Sequence, residues 1–193
     1  MTHSHSQTVA ITTVAETAIS ALKQGQVLAY PTEAVFGLGC DPDQQSAVEK
    51  ILKIKHRPVE KGLILLASDL AQLLPYIEYA ALSAEQRQLL ITPQLRPTTW
   101  LVPVSELTPK WICGQFSSVA VRLTSHPVVS AVCDVWGKPL VSTSANYSGE
   151  PPAVTANQAT QLSGVDIVLD GPLGGATQTS QIKDIFTGAV IRA

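Results

Sequence analysis

Apolar residues recur along this chain at two periods. Ala15, Ala18, Ile19 and Leu22 fall at helical spacing before Gly25, predicting a helix that opens at the capping box Thr13-Val14-Ala15-Glu16. Ala47, Val48, Ile51 and Leu52 predict a second helix over about 43–55, with Asp43 as its N-cap and Pro58 barring continuation. Between them, residues 27–30 read as a short strand stopped by Pro31, and residues 63–67 as a continuously apolar strand covered on both faces. Ser68 or Asp69 caps a short helix ending near Pro75, and Ser83-Ala84-Glu85-Gln86 opens another that runs to Ile91.

Strands follow over 98–104 and 118–123. A helix over 127–136 has proline at its first turn and Gly137 at its end. Further elements are a strand over 140–142, a helix over 155–162, a strand over 166–169, and two short strands, 182–186 and 189–191, around Thr187-Gly188. Helices and strands interleave without a clean βαβ alternation, so the expected fold is α/β (α+β) with a mixed sheet. Neither G-x-G-x-x-G nor the P-loop pattern is present.

The 193 residues suit a single domain, placed over 12–193, with a flexible tail over 1–11. The tail carries His3 and His5, read as frayed rather than metal-binding. At 45% hydrophobic and 15% charged the chain can bury a substantial core. A net charge of −2 gives no global field toward nucleic acid or membrane. Anion binding therefore needs a local patch, and five of the 13 Lys and Arg residues fall between Lys50 and Lys61. Cys40, Cys113 and Cys133 are odd in number and lack a C-x-x-C pair, so they read as buried thiols. With no signal peptide or spanning run, a cytoplasmic protein is expected, with no membrane partner.

Two polar motifs stand out: Lys55-His56-Arg57 after a helix, and Ser144-Ala145-Asn146 after a strand. The first supplies fixed cations and the second short hydrogen-bonding groups, a combination suited to a phosphate-bearing ligand. Lys55, Arg57 and Lys61 also fit a solvated helix end. Thr32 follows a strand ahead of Gly37-Leu38-Gly39, glycines that permit close backbone approach, or an ordinary turn. Arg122 ends the apolar run Val119-Ala120-Val121, so it is either structurally paired or ligand-binding.

Taken in order, these segments resemble the YrdC-type threonylcarbamoyl-AMP synthases, the bacterial TsaC proteins. The motifs are Tyr30-Pro31-Thr32-Glu33 with Gly37-Leu38-Gly39-Cys40, Lys55-His56-Arg57-Pro58, Val119-Ala120-Val121-Arg122, and Ser142-Thr143-Ser144-Ala145-Asn146 with Ser148-Gly149. They extend over nearly the full chain. The resemblance implies a YrdC/RibB-like twisted mixed sheet with flanking helices and a concave, positively lined cavity. It implies a nucleotidyltransferase that makes L-threonylcarbamoyladenylate and pyrophosphate from L-threonine, bicarbonate and ATP. The product would pass to tRNA threonylcarbamoyltransferase proteins that modify adenosine-37 of tRNAs reading ANN codons.

By the same resemblance, Lys55, Arg57, Ser144 and Asn146 would be catalytic. Arg57, Lys61, Ser118, Ser144, Pro152 and Arg192 would bind ATP, and Thr32, Leu66, Arg122, Ser142 and Ser180 would bind threonine. Mg²⁺ would ride on the triphosphate without a dedicated protein site. Four places depart from the family pattern: Ala34-Val35-Phe36 for Thr-Val-Tyr, Lys61-Gly62 for Lys-Pro, Thr179-Ser180-Gln181 for Pro-Ser-Thr, and Pro152 for a small polar residue, which limits Pro152 to backbone contact with ATP. The competing function is a double-stranded-RNA-binding or ribosome-maturation protein using the same basic cavity, with direct RNA or tRNA contact.

Overall fold

The structure, a computed structural model, describes residues 3–193, with side chains from Thr13 onward. The tail expected over 1–11, with His3 and His5, lies outside the residues whose side chains are described. The helices are α1 (His3–Lys23), α2 (Gln45–Ile54), α3 (Ala84–Ile91), α4 (Lys110–Cys113), α5 (Pro127–Trp136) and α6 (Ala156–Ala159). The strands are β1 (Leu28–Pro31), β2 (Phe36–Gly39), β3 (Ile64–Ala67), β4 (Thr98–Pro103), β5 (Ser118–Leu123), β6 (Leu140–Ser144), β7 (Ile167–Val168), β8 (Gln181–Asp184) and β9 (Val190–Arg192). They form one mixed sheet in the order β7-β1-β2-β6-β3-β5-β4-β8-β9. Pairs β1–β7, β3–β5 and β4–β8 are parallel and the other neighbours antiparallel.

Local chemistry explains most boundaries. Ser83 and Thr155 close capping boxes on α3 and α6, and Asp69 closes one on the short 3₁₀ turn Leu70–Gln72. Gly137 takes a left-handed conformation that ends α5. Two expected caps are not used. Helix α1 runs straight through Thr13, and Thr17 Oγ1 returns a bond to Thr13 O. Helix α2 is preceded by Gln44 without a side-chain cap, because Asp43 is drawn instead to Tyr76 Oη at 2.8 Å and Lys138 Nζ at 2.7 Å. Gly37-Leu38-Gly39 is strand β2 rather than a ligand turn. A Cβ on Gly39 would stand 2.5 Å from Val141 O and 2.6 Å from the Tyr30 ring, so this glycine makes room for packing.

The two sheet faces have different fates. Side chains alternate along each strand, and the register sets Leu65 beside Val121 and Val141 on one face. That face joins the apolar side of α2 in the larger core, with Val48 and Ile51 fully buried. On the other face the register aligns Leu66 with Leu140, and Ile64 with Ser142 and Ala120. Helices α1 and α5 cover only part of this face, enclosing Tyr30, Leu66 and Leu140 with Ala18, Leu22 and Val132. Two residues along the same strands, Ile64 and Ser142 emerge from under the helices. The uncovered remainder is the floor of the site. Among the described residues, no helix is long and apolar enough to cross a membrane.

Candidate active site

Two adjoining cavities open on that bare floor. The smaller, about 130 Å³, is walled by the Thr32–Gly37 turn and strand, Arg122, Ser142–Ser144 and the Gln178–Ser180 segment. The larger, about 240 Å³, has an apolar body that includes Leu63, Leu101, Ile112, Phe116 and Ile182, with Arg57, Lys61 and Ser118 among its polar groups. Ile64, Ser142, Thr143 and Arg192 line both. The cavities therefore meet at one polar junction. An apolar volume beside several cations suits an aromatic base attached to phosphates, and the small polar volume suits a short charged molecule.

The two polar motifs meet beneath this junction. Helix α2 ends in a Schellman arrangement: His56 N–H bonds Lys53 O at 3.1 Å and Arg57 N–H bonds Leu52 O at 2.9 Å. The left-handed position, φ 45°, is held by His56 rather than glycine. This turn sends Lys55 and Arg57 in different directions. Lys55, only 6% exposed, donates to Ser144 O at 2.6 Å, Asn146 Oδ1 at 2.6 Å and Asn146 O at 3.1 Å. Ser144 Oγ also bonds Asn146 Oδ1 at 2.7 Å. Burial, and secondly the Arg57 charge, lower the Lys55 ammonium to a pKa of about 8.

Arg57 crosses to the larger cavity, donating through Nε and Nη2 to Gly62 O. Gly62 has φ 62°, a value proline cannot adopt, so the local path differs from the Lys-Pro form the resemblance suggests. Burial and then Arg192 depress the Arg57 guanidinium; burial and then Arg96 depress Arg192. Arg96 and Arg192 hang on successive carbonyls, Thr179 O at 3.0 Å and Ser180 O at 3.3 Å. Lys55, Arg57, Arg192 and Arg96 thus form an arc in which each cation feels the next. Among the described residues, the ion pairs are Arg122 with Glu33 and Lys138 with Asp41 and Asp43. The arc has no acid to neutralise it.

Arg122 is different. Its Nη1 donates to Glu33 Oε2 at 2.6 Å, while Thr124 Oγ1 donates to Glu33 Oε1 at 2.6 Å. Burial opposes charge on Glu33, yet Arg122 and Thr124 outweigh it and hold the carboxyl below its ordinary range. Arg122 Nε is buried without a partner. Ser180 Oγ accepts from Thr99 Oγ1 at 3.0 Å, leaving its own proton for the cavity. Thr32 Oγ1 donates to Val35 O at 2.7 Å and so offers its lone pairs.

Nine of the residues singled out in the sequence line a cavity: Thr32, Arg122, Ser142, Ser144 and Ser180 the smaller, Arg57, Lys61, Ser118 and again Ser142 the larger, and Arg192 both. Four do not. Lys55 and Asn146 lie behind the wall as the knot described above. Leu66 is fully buried under α1 and α5, because the strand has already passed beneath the helices, and Ile64 occupies the cavity position instead. Pro152 lines neither cavity; its neighbour Ala153 is tied to Phe36 and Ala145 through the backbone. Thr143 lies within the Ser142–Asn146 motif without an assigned role. Ile64 belongs to no motif, and only the alternation within its strand could have marked it.

A mixed sheet with an unneutralised cationic hollow beside a small polar pocket suits a protein that seats a phosphorylated ligand against a second, smaller one. This chain belongs to the Sua5_yciO_yrdC family, described as "Telomere recombination", which matches residues 20–193. A Vibrio parahaemolyticus relative named threonylcarbamoyl-AMP synthase is 48% identical, the match covering 92% of this chain and 97% of the relative. A relative of the same name from Pseudoalteromonas translucida is 49% identical, covering 91% and 95%. Among solved structures, P. abyssi Sua5 complexed with L-threonine is 28% identical with a TM-score of 0.78, covering 88% of this chain and 50% of that one. E. coli YciO, at 23% identity and a TM-score of 0.78, shares the fold and covers 94% of this chain and 89% of its own.

Proposed function

We propose that this chain is a threonylcarbamoyl-AMP synthase, condensing L-threonine, bicarbonate and ATP to L-threonylcarbamoyladenylate, pyrophosphate and water. The observation that carries this is the junction: a polar pocket with a fixed arginine opens onto an apolar pocket rimmed by unneutralised cations, and both share Ser142 and Arg192. The names of relatives nearly half identical over almost the full chain support catalysis over RNA binding alone. Threonine bound to the P. abyssi protein supports an amino acid in the smaller cavity.

In this scheme Thr32, Arg122, Ser142 and Ser180 hold threonine, with Arg122 facing its carboxylate. The purine enters the larger cavity, and Arg57, Lys61, Ser118 and Arg192 hold the phosphates. Threonine's ammonium first loses a proton to solvent, and the free amine and bicarbonate then give a carbamate with loss of water. A carbamate oxygen then attacks the α-phosphorus, and the bond to the β-phosphate oxygen breaks as pyrophosphate leaves. No protein nucleophile is needed; positioning and charge stabilisation suffice. Lys55 acts by fixing the Ser144–Asn146 turn and by its charge. Hydroxyl groups are the hard donors suited to a magnesium ion carried by the triphosphate, and that ion would neutralise phosphate charge. The product would serve tRNA-modifying proteins in the cytoplasm.

The test is pyrophosphate release from the purified chain. It should require threonine, bicarbonate and ATP together. Release that ignores threonine or bicarbonate would sink the proposal.

A further inference from the structure

Among the described residues, Glu33 is the one carboxylate lining either cavity; the other charged groups there are arginines and a lysine. An acid in this position repels a triphosphate and a substrate carboxylate alike, so its presence calls for a cation. If Glu33 served Arg122 alone, the two-oxygen fork of an arginine–carboxylate pair would be the favoured geometry. The pair here touches at one point: Nη1 meets Oε2, and Oε1 is given to Thr124 instead. Arg122 Nε is left unpartnered, and the carboxylate, with about four acceptor sites, can take one bond beyond those from Arg122, Thr124 and its own backbone N–H.

Both charges are held still. Thr124 Oγ1 accepts from His126 N–H at 3.0 Å, which aims its own proton at Glu33. The Glu33 carbonyl accepts from Ala176 N–H at 2.8 Å. Gly174 closes over the turn, where an added Cβ would stand 3.0 Å from Glu33 Cα. A rigid plus–minus pair on one small polar wall matches a molecule carrying an ammonium and a carboxylate on adjacent atoms.

Resting on the assignment of the smaller cavity to an amino acid, we propose that Glu33 is a specificity-determining residue that receives the substrate's α-ammonium while Arg122 receives its α-carboxylate. The pair thereby selects α-amino acids over the corresponding hydroxy acids and presents the nitrogen toward the phosphate junction.

Calorimetry on the full chain tests this with L-threonine and with (2S,3R)-2,3-dihydroxybutanoate, in which a hydroxyl replaces the α-amino group. The native protein should prefer threonine by about 10- to 100-fold, the range for a hydrogen bond to a charged group. Glu33→Gln should erase that preference to within about 3-fold, without changing hydroxy-acid or non-hydrolysable ATP-analogue affinity by more than the same factor. Equal binding of the two acids by the native protein overturns the proposal without any variant. So does a Glu33→Gln variant that weakens both acids alike, which would make Glu33 only a support for Arg122. If the native chain binds neither acid, the amino-acid assignment of the cavity falls as well; a failure confined to the variant leaves that assignment standing.

Discussion

Raising the pH through 8 titrates Lys55, the first cation of the phosphate arc. Lys55 is enclosed by oxygen acceptors, has no carboxylate partner, and has its pKa lowered to about 8 by burial and then by Arg57. An anion seated on Arg57 and Arg192 opposes the second cause. Taking a separation of about 8 Å and an effective dielectric near 20, a single negative charge acts with about 2 kcal/mol. Partial neutralisation by the arginines leaves enough to raise Lys55 by about one pH unit, or about 1.4 kcal/mol. At pH 8.5 the neutral fraction of Lys55 then falls from about three quarters to about one quarter on binding, an uptake of about half a proton per nucleotide. At pH 7 the lysine is charged in both states and the uptake drops below about a tenth of a proton.

The assay is titration calorimetry with a non-hydrolysable ATP analogue in two buffers of different ionisation enthalpy. The triphosphate is fully ionised at pH 8.5 and adds nothing to the difference. Lys55→Arg stays protonated throughout, so its uptake should vanish. No uptake by the native protein at pH 8.5, or equal uptake by the arginine variant, refutes the electrostatic link between the knot and the phosphate site.

Four further outcomes are expected. Arg57→Ala should lower kcat/KM for ATP in pyrophosphate release by about 100-fold, as for lost transition-state charge stabilisation; a near-normal rate would remove Arg57 from the site. Leu66→Ala should cost about 2–5 kcal/mol in urea unfolding while leaving threonine affinity unchanged; lost affinity at intact stability would return Leu66 to the cavity. Gly39→Ala should destabilise by about 1–3 kcal/mol through overpacking on Tyr30 and Val141, and an unaltered melting temperature would contradict the β1–β2–β6 pairing. His56→Gly should keep activity and raise stability by up to about 1 kcal/mol by relieving the left-handed residue; a loss of stability would mean that the turn is not strained.

Legibility followed the range of the forces involved. Helices α3 and α5 and strands β3 and β5 carry their own period and caps, so local sequence marks them. Strand β2 does not: its two glycines look like a turn until Tyr30 and Val141 stand beside them. The tetrapeptide α4 offers too few residues for any period to show. The site motifs were visible because cations and short hydroxyls cluster there in the sequence. Their division of labour was not. Whether a lysine faces a ligand or two backbone carbonyls depends on a strand 89 residues away. Leu66 and Ile64 are both apolar residues on one face of one strand, and only the edge of the α1–α5 layer separates core from cavity.

Four of the ties that shape the two pockets are distant in the chain: Lys55 to Asn146 spans 91 residues, Glu33 to Arg122 spans 89, Arg96 to Thr179 spans 83 and Thr99 to Ser180 spans 81. Closing such long loops comes late on a folding route. A refolding chain would therefore regain helical signal well before it turned over substrate, and no excised fragment would keep a partial share of the chemistry.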